Sequence, residues 1–338
     1  MQTASVPGTC DAAEIASAVA ALRAGELVAF PTETVYGLGA DARNEQALHK
    51  IFELKGRPAD HPLILHLASL NELTDWVTEV PQSAKTLANH FWPGPLTLVL
   101  PRHPRVSTVL TGGQDSIAVR IPAHPVAQAL LRAFGSGLAA PSANRYGHVS
   151  PTSAQHVREE FGDAVQVLSG GDCDVGVEST IVSLLDETPR ILRPGMITIA
   201  DIAAVLGEPV QARSPVDALP RVPGSTLQHY APRTPVSLLP AEALSSAIEA
   251  ANAAGERVVV LARQAPATQA VLACADTPAF VLRWVQAPAD VAGFAHDLYA
   301  RLRELDKLGA QRILVERVPE GPEWDAIRDR LQRASAGH

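Results

Sequence analysis

The chain has 338 residues, 46% hydrophobic and 19% charged, a composition that supports a packed core and excludes wholesale disorder. Its formal net charge is −8, and residues 1–202 alone carry 21 Asp+Glu against 14 Lys+Arg, the wrong sign for a surface that grips a long polyanion. No apolar run reaches the length of a membrane span, and the N-terminus does not read as a signal peptide. Cys10, Cys173 and Cys274 lie too far apart for a disulfide framework or a zinc site, so a reducing cytoplasm is the expected setting.

Residues 11–24 read as a helix with Asp11 as N-cap and Gly25 just past its end. A strand follows at 26–31 and a second helix from about 44 to 54. Further strands are predicted at 62–67, 96–100, 116–121, 137–141, 165–168 and 179–185, with helices between many of them. This alternation predicts an α/β domain over 11–202. Residues 203–235 read as a linker, since 207–235 holds six prolines and no sustained periodicity. A smaller α/β domain is predicted over 236–338. Its strands open near 235–239, 257–262, 279–284 and 312–318, and its helices span 241–254, 288–308 and 322–335.

The stretch FPTETVYGLGADA (30–42) leaves a strand for a loop of threonines and glycines. That suits a ligand edge, or more plainly a capped turn with Tyr36 as a packing residue. In KGRPADHP (55–62), Lys55 and Arg57 flank Gly56, and Pro58 and Pro62 stiffen the rest of the turn. Such a turn fits polyphosphate, although a solvated basic turn is the ordinary alternative. His66, in LILHLA, reads first as a satisfied core histidine. Arg120 sits between Val119 and Ile121, where an unpaired cation is very costly. Its partner is either a protein carboxylate or an anionic ligand, and the residues leave both open. In APSANRYGHVSPTSAQHV (140–157), Ser142, Asn144 and Ser150 can reach a phosphate or nucleoside near a helix N-terminus. The plainer role there is N-capping by Ser150 or Thr152. GGDCDVGVESTIVSLL (170–185) leads another glycine-rich loop into a strand, and ILRPG (191–195) adds an arginine. There is no Walker motif, GxGxxG, Ser–His–Asp spacing or metal cluster. Together these segments describe a pocket of Lys, Arg, His, Ser and Thr with little acid, suited to orienting anions.

PTETVYGLGADA, KGRPADHPLILH, WPGPLTLVL, AVRIPAHP, APSAN, SPT, GVESTIV and ILRPG, in this order, resemble the threonylcarbamoyl-AMP synthases that carry a YrdC-like domain. HYAPRTP (229–235) and the tail LDKLGAQRILVE…AIRDRLQRAS resemble the long, two-domain form. The resemblance implies a YrdC-like twisted mixed α/β sheet with a concave cationic pocket, and a smaller Rossmann-like α/β C-terminal domain. It implies a reaction in which L-threonine, bicarbonate and ATP, with Mg2+ on the phosphates, give threonylcarbamoyl-AMP and pyrophosphate. Other proteins then transfer the threonylcarbamoyl group to tRNA. Carried over by motif, Thr34, His66, Arg120, the Ala140 backbone and Thr180 would bind threonine. Lys55, Arg57, His61, Ser116, Ser142, Ser150, Arg193 and Tyr230 would bind ATP, with Lys55 and Arg57 stabilising the departing pyrophosphate. The linker, over 224–233, would fold across the pocket as a lid with Tyr230 near the nucleotide. Three places depart from the family's pattern. His61 stands where Asn is usual, Tyr146 where Ser is common, and Leu227–Gln228 where an aromatic–Arg pair is common.

Two other readings share the fold. One is an RNA-binding module, which the acidic balance of residues 1–202 opposes. The other is a carbamoyl-adenylate former, whose accompanying zinc-finger and acylphosphatase-like segments are missing from the sequence.

Overall fold

The computed structural model describes residues 10–213, 219–224, 229–265 and 281–336. The chain divides into two compact units, one of residues 1–146 with 150–225, the other of 147–149 with 226–338.

In the first unit α1 (Ala12–Arg23) starts in a capping box, with the Asp11 carboxylate on the Glu14 N–H and the Glu14 carboxylate on the Asp11 N–H. Then come β1 (Val28–Phe30), β2 (Gly37–Asp41), α2 (Glu45–Lys55), β3 (Ile64–His66), α3 (Gln82–Phe91) and β4 (Leu96–Pro101). The chain continues through α4 (Thr108–Thr111), β5 (Ser116–Arg120), α5 (Pro125–Phe134), β6 (Leu138–Ala139), α6 (Ala154–Phe161) and β7 (Gln166–Val167). The last elements are β8 (Thr180–Ser183), β9 (Arg190–Arg193) and α7 (Ile199–Leu206). The strands form one mixed sheet in the order β7-β1-β2-β6-β3-β5-β4-β8-β9.

Two of these strands were not expected. The second half of the presumed loop 30–42 is β2, antiparallel to β1 with Phe30 opposite Gly37. Its glycines allow close packing: a Cβ on Gly39 would lie 2.8 Å from the Phe30 ring. The arginine-bearing stretch at 190–193 is β9, antiparallel to β8.

Strand alternation separates the two faces. Leu38, Leu65, Leu98, Val119 and Val182 point into the main core, with residues of α2, α3 and α7. On the opposite face, α1 and α5 cover Val28, Phe30 and Leu138. Farther along that face, Val222 and Leu219 lie on Ile64, Val99, Ala118 and Ile181. Residues 219–224 of the presumed linker therefore pack within the first unit. At the C-terminal ends of the parallel pair β3 and β5, this face carries His66 and Arg120 in register.

The second unit holds β10 (Val236–Leu239), α8 (Leu244–Ala253), β11 (Val258–Ala262), β12 (Val281–Gln286), α9 (Val291–Asp306), β13 (Arg312–Glu316) and α10 (Asp325–Ser335). Residues 279 and 280 of the expected third strand lie outside the described residues. The sheet order is β10-β13-β11-β12 and all its pairings are parallel. One face of α9 carries Tyr299, Arg303 and Asp306 at i, i+4 and i+7. Tyr299 stacks on Tyr230, Arg303 donates to the Val149 carbonyl, and Asp306 accepts the N–H groups of Arg233 and Thr234. That helix face organises HYAPRT and the short segment 147–149.

Candidate functional site

Arg120 is 4% exposed. Nη1 donates to Thr34 Oγ1 at 2.8 Å, Nε donates to the Gly94 carbonyl at 3.2 Å, and Nη2 lies 2.7 Å from Glu33 Oε1. Glu33, also buried, accepts the Ala123 N–H on its other oxygen. Of the two partners open for Arg120, the structure thus supplies the protein carboxylate. Thr34 Oγ1 lies 2.9 Å from Thr32 Oγ1, so the PTET turn is knitted to the arginine. His66, beside Arg120 on the adjacent strand, is buried with Nδ1 3.2 Å from the Ile64 carbonyl. Burial, reinforced by the Arg120 charge, lowers its pKa to about 3, so the imidazole is neutral.

A second group gathers where α2 ends. Lys55 closes the helix, and Gly56 follows as C-cap with φ 64°. The Lys55 ammonium is buried and donates to the carbonyls of Ser142 and Asn144 at 2.6 and 2.5 Å. Burial, with repulsion from Arg57, holds its pKa well below the usual lysine value. Arg57 donates to the Pro62 carbonyl at 2.9 Å, and its guanidinium sits 5.8 Å from the Tyr146 ring centroid. His61 Nδ1 is 3.3 Å from the Tyr146 hydroxyl. Two departures from the family's pattern, His61 and Tyr146, are therefore in contact.

The remaining candidates divide. Ser116 begins β5 on the same face as Arg120 and is buried. Ala140 donates its N–H to the Ile64 carbonyl, so its own carbonyl is what it can turn to a ligand. Ser142 offers its carbonyl to Lys55, whereas Ser150, fully buried, donates to Glu178 at 2.6 Å. α6 is capped by Ser153, not by Ser150 or Thr152. Arg193 donates to the carbonyl and hydroxyl of Ser179 and to the Pro223 carbonyl.

Thr180 turns its side chain elsewhere. It pairs with Leu96, which faces the main core, and its hydroxyl donates to the Ile197 carbonyl at 2.7 Å. Alternation turns its side chain to the face opposite Arg120, and the neighbouring Ser179 hydroxyl takes the Arg193 side. Tyr230 is 1% exposed in the second unit, stacked on Tyr299 with the Arg330 guanidinium over its ring. Of the expected lid, 225–228 lies outside the described residues. Two acids, Glu33 and Glu178, are buried beside candidate residues. Both acids lie in the family's motifs, but their partners are 87 and 28 positions away, by Arg120 and Ser150.

A family model described as "Telomere recombination" matches residues 20–195, and one described as "Threonylcarbamoyl-AMP synthase, C-terminal domain" matches 197–336. The curated threonylcarbamoyl-AMP synthase of Pyrococcus abyssi (strain GE5 / Orsay) is 42% identical over 93% of this chain and 92% of its own length. That of Bacillus subtilis (strain 168) is 42% identical over 96% of this chain and 93% of its own. The crystal structure of P. abyssi Sua5 complexed with L-threonine matches with a TM-score of 0.87 at 39% identity, covering 97% of this chain and 95% of that one.

Proposed function

The chain belongs to the threonylcarbamoyl-AMP synthase family, and from that premise we propose that it condenses L-threonine, bicarbonate and ATP into threonylcarbamoyl-AMP and pyrophosphate. The product is an activated mixed anhydride, to be consumed by proteins that transfer the threonylcarbamoyl group to tRNA. The cytoplasm is the compartment where ATP and tRNA meet; no described helix is long and apolar enough to cross a membrane.

The observation that carries the reading is the two-ended placement of the polar residues on β3 and β5. Arg120, Thr34 and His66 gather at the C-terminal ends of these strands. Arg57 bonds the Pro62 carbonyl ahead of β3, and Ser116 starts β5. Four residues of strand span about 13 Å, a separation suited to a small amino acid joined to a nucleotide phosphate. At one end the guanidinium receives the threonine carboxylate, sharing its charge with Glu33. Neutral His66 beside it can hydrogen-bond without adding a second cation. Threonine's amine and bicarbonate form the carbamate with loss of water, and the carbamate oxygen attacks the α-phosphorus as pyrophosphate leaves. Lys55 and Arg57 take up the charge that develops on the leaving group. Magnesium enters with the nucleotide, as MgATP. Positioning and electrostatics dominate such a transfer.

The test is to incubate the protein with ATP, magnesium, bicarbonate and each amino acid in turn and to assay pyrophosphate. Release should require both threonine and bicarbonate. Release indifferent to the amino acid would overturn the assignment.

A further inference from the structure

Tyr146 reaches Lys55, Arg57 and His61 on the turn that ends α2. Its N–H donates to the Lys55 carbonyl at 2.8 Å. Its ring faces the Arg57 guanidinium at 5.8 Å. Its hydroxyl lies 3.3 Å from His61 Nδ1, with the two rings edge-on at 5.5 Å. The tyrosine and the histidine are both only partly covered, so a ligand can reach them.

A neutral imidazole has one proton for two nitrogens, and the partner of one nitrogen decides which of them carries it. His61 is kept neutral by its surroundings. Burial and the Arg57 and Arg221 charges lower its pKa, against Asp60, which is held by Arg221 at 3.0 Å. With Nδ1 facing a phenol, two arrangements exist. Either Nδ1–H donates to the phenol oxygen and Nε2 presents a lone pair, or the phenol donates to Nδ1 and Nε2 carries the proton. A lone pair repels phosphate oxygens, and an imidazolium would be a third cation beside Lys55 and Arg57. An Nε2–H adds a donor with neither cost.

We propose that Tyr146 is a positioning residue. Its O–H donates to Nδ1 and locks His61 in the Nε2–H tautomer, so that a neutral N–H faces the nucleotide phosphates. The Tyr146 ring meanwhile backs the Arg57 guanidinium. The proposal rests on the functional reading in which the 55–61 turn binds the nucleotide.

Two measurements test it. In nitrogen-15 NMR of the imidazoles at neutral pH, the wild-type His61 should show a protonated Nε2 and a bare Nδ1, and Tyr146→Phe should show a tautomer mixture. In the pyrophosphate assay, Tyr146→Phe should raise the KM for ATP about two- to tenfold, the worth of one neutral hydrogen bond, and leave the KM for threonine unchanged. Tyr146→Phe/His61→Ala should be no worse than His61→Ala alone, a coupling that a merely structural tyrosine would not produce. A wild-type His61 protonated on Nδ1 overturns the proposal, and so does an unchanged ATP KM in Tyr146→Phe. Should His61→Ala fail to fold, the wild-type spectrum and Tyr146→Phe still decide. A wild-type enzyme that releases no pyrophosphate would instead sink the functional reading, and the spectrum would still judge the tautomer.

Discussion

Arg120 is held by three different groups, so what its removal does depends on what stays behind. Arg120→Ala leaves the buried Glu33 carboxylate without its cation. Breaking a buried pair from one side costs about 3–5 kcal/mol, whereas replacing both partners costs far less. Urea denaturation should therefore show Arg120→Ala strongly destabilised and Glu33→Gln/Arg120→Met largely recovered. On the proposed function neither variant should recover normal threonine use, because both would lack the carboxylate's receptor; a charge-assisted hydrogen bond is worth about 1.5–3 kcal/mol, some ten- to a hundredfold in threonine KM. Recovered threonine use in the double variant would remove Arg120 from the site. His66 gives a pH prediction. Its pKa falls from the ordinary value to about 3 on folding, so the unfolded chain binds a proton that the native chain refuses. The stability contributed by a neutral His66 is complete above pH 6.5 and is lost as pH falls from there towards 3. Wild type should lose about 1.4 kcal/mol more per pH unit than His66→Gln in that window. Equal slopes in denaturation at pH 6 and pH 5 would contradict the buried neutral state. The sequence showed Arg120 needing a partner but not that the partner is Glu33, because pairing across 87 residues depends on the folded sheet.

At the scale of elements, the end of α2 is the junction between fold and site. Gly56 adopts φ 64°, a conformation that costs an L-residue about 1–2 kcal/mol. A Cβ there would meet nothing within 4 Å, so Gly56→Ala adds backbone strain without a clash. Gly135, the C-cap of α5, has φ 75° and equally open space, which makes Gly135→Ala the matched control. Both substitutions should lower the melting temperature by a similar few degrees. Only Gly56→Ala should also raise the ATP KM, because it re-aims Lys55 and Arg57. Equal ATP KM values in the two variants would show that the turn does not position those cations. Helices and apolar strands were legible because their periodicities and caps are local: Asp11 opens α1 and Gly25 follows its end as helix chemistry dictates. β2 was not legible, since Gly37 and Gly39 read as loop glycines until the Phe30 ring that needs their space is known. The orientation of the Thr180 side chain was hidden for a related reason. STIVSLL is apolar enough for either face, so alternation predicts a strand without saying which set of side chains meets the site.

The whole molecule carries its charges in a way that bears on the rival reading as an RNA-binding module. The candidate cations Lys55, Arg57, Arg120 and Arg193 are each 7% exposed or less. They are turned to carbonyls, to Thr34 and to Glu33. A small anion can enter such a site, but the backbone of a duplex cannot, because its phosphates need cations that project from the surface. What does project is acidic: of the 14 basic and 21 acidic side chains of residues 1–202, those four cations and only Glu33 and Glu178 among the acids are buried. In the second unit, Arg283, Arg301 and Arg312 are tied to Glu304, Asp297 and Glu256. A protein that neutralises six to ten phosphates loses about 10³–10⁵ in affinity between 50 and 200 mM salt. This chain should show only weak binding to an RNA hairpin at 50 mM salt, with less than about tenfold further loss at 200 mM, as measured by fluorescence anisotropy. Its affinity for ATP, read in the same buffers, should change far less than that of a true polyanion binder, because the charges proposed to meet the nucleotide are buried and poorly screened. Tight hairpin binding with a steep salt dependence would mean that cations outside the candidate site form an RNA surface, and the duplex reading would regain its place.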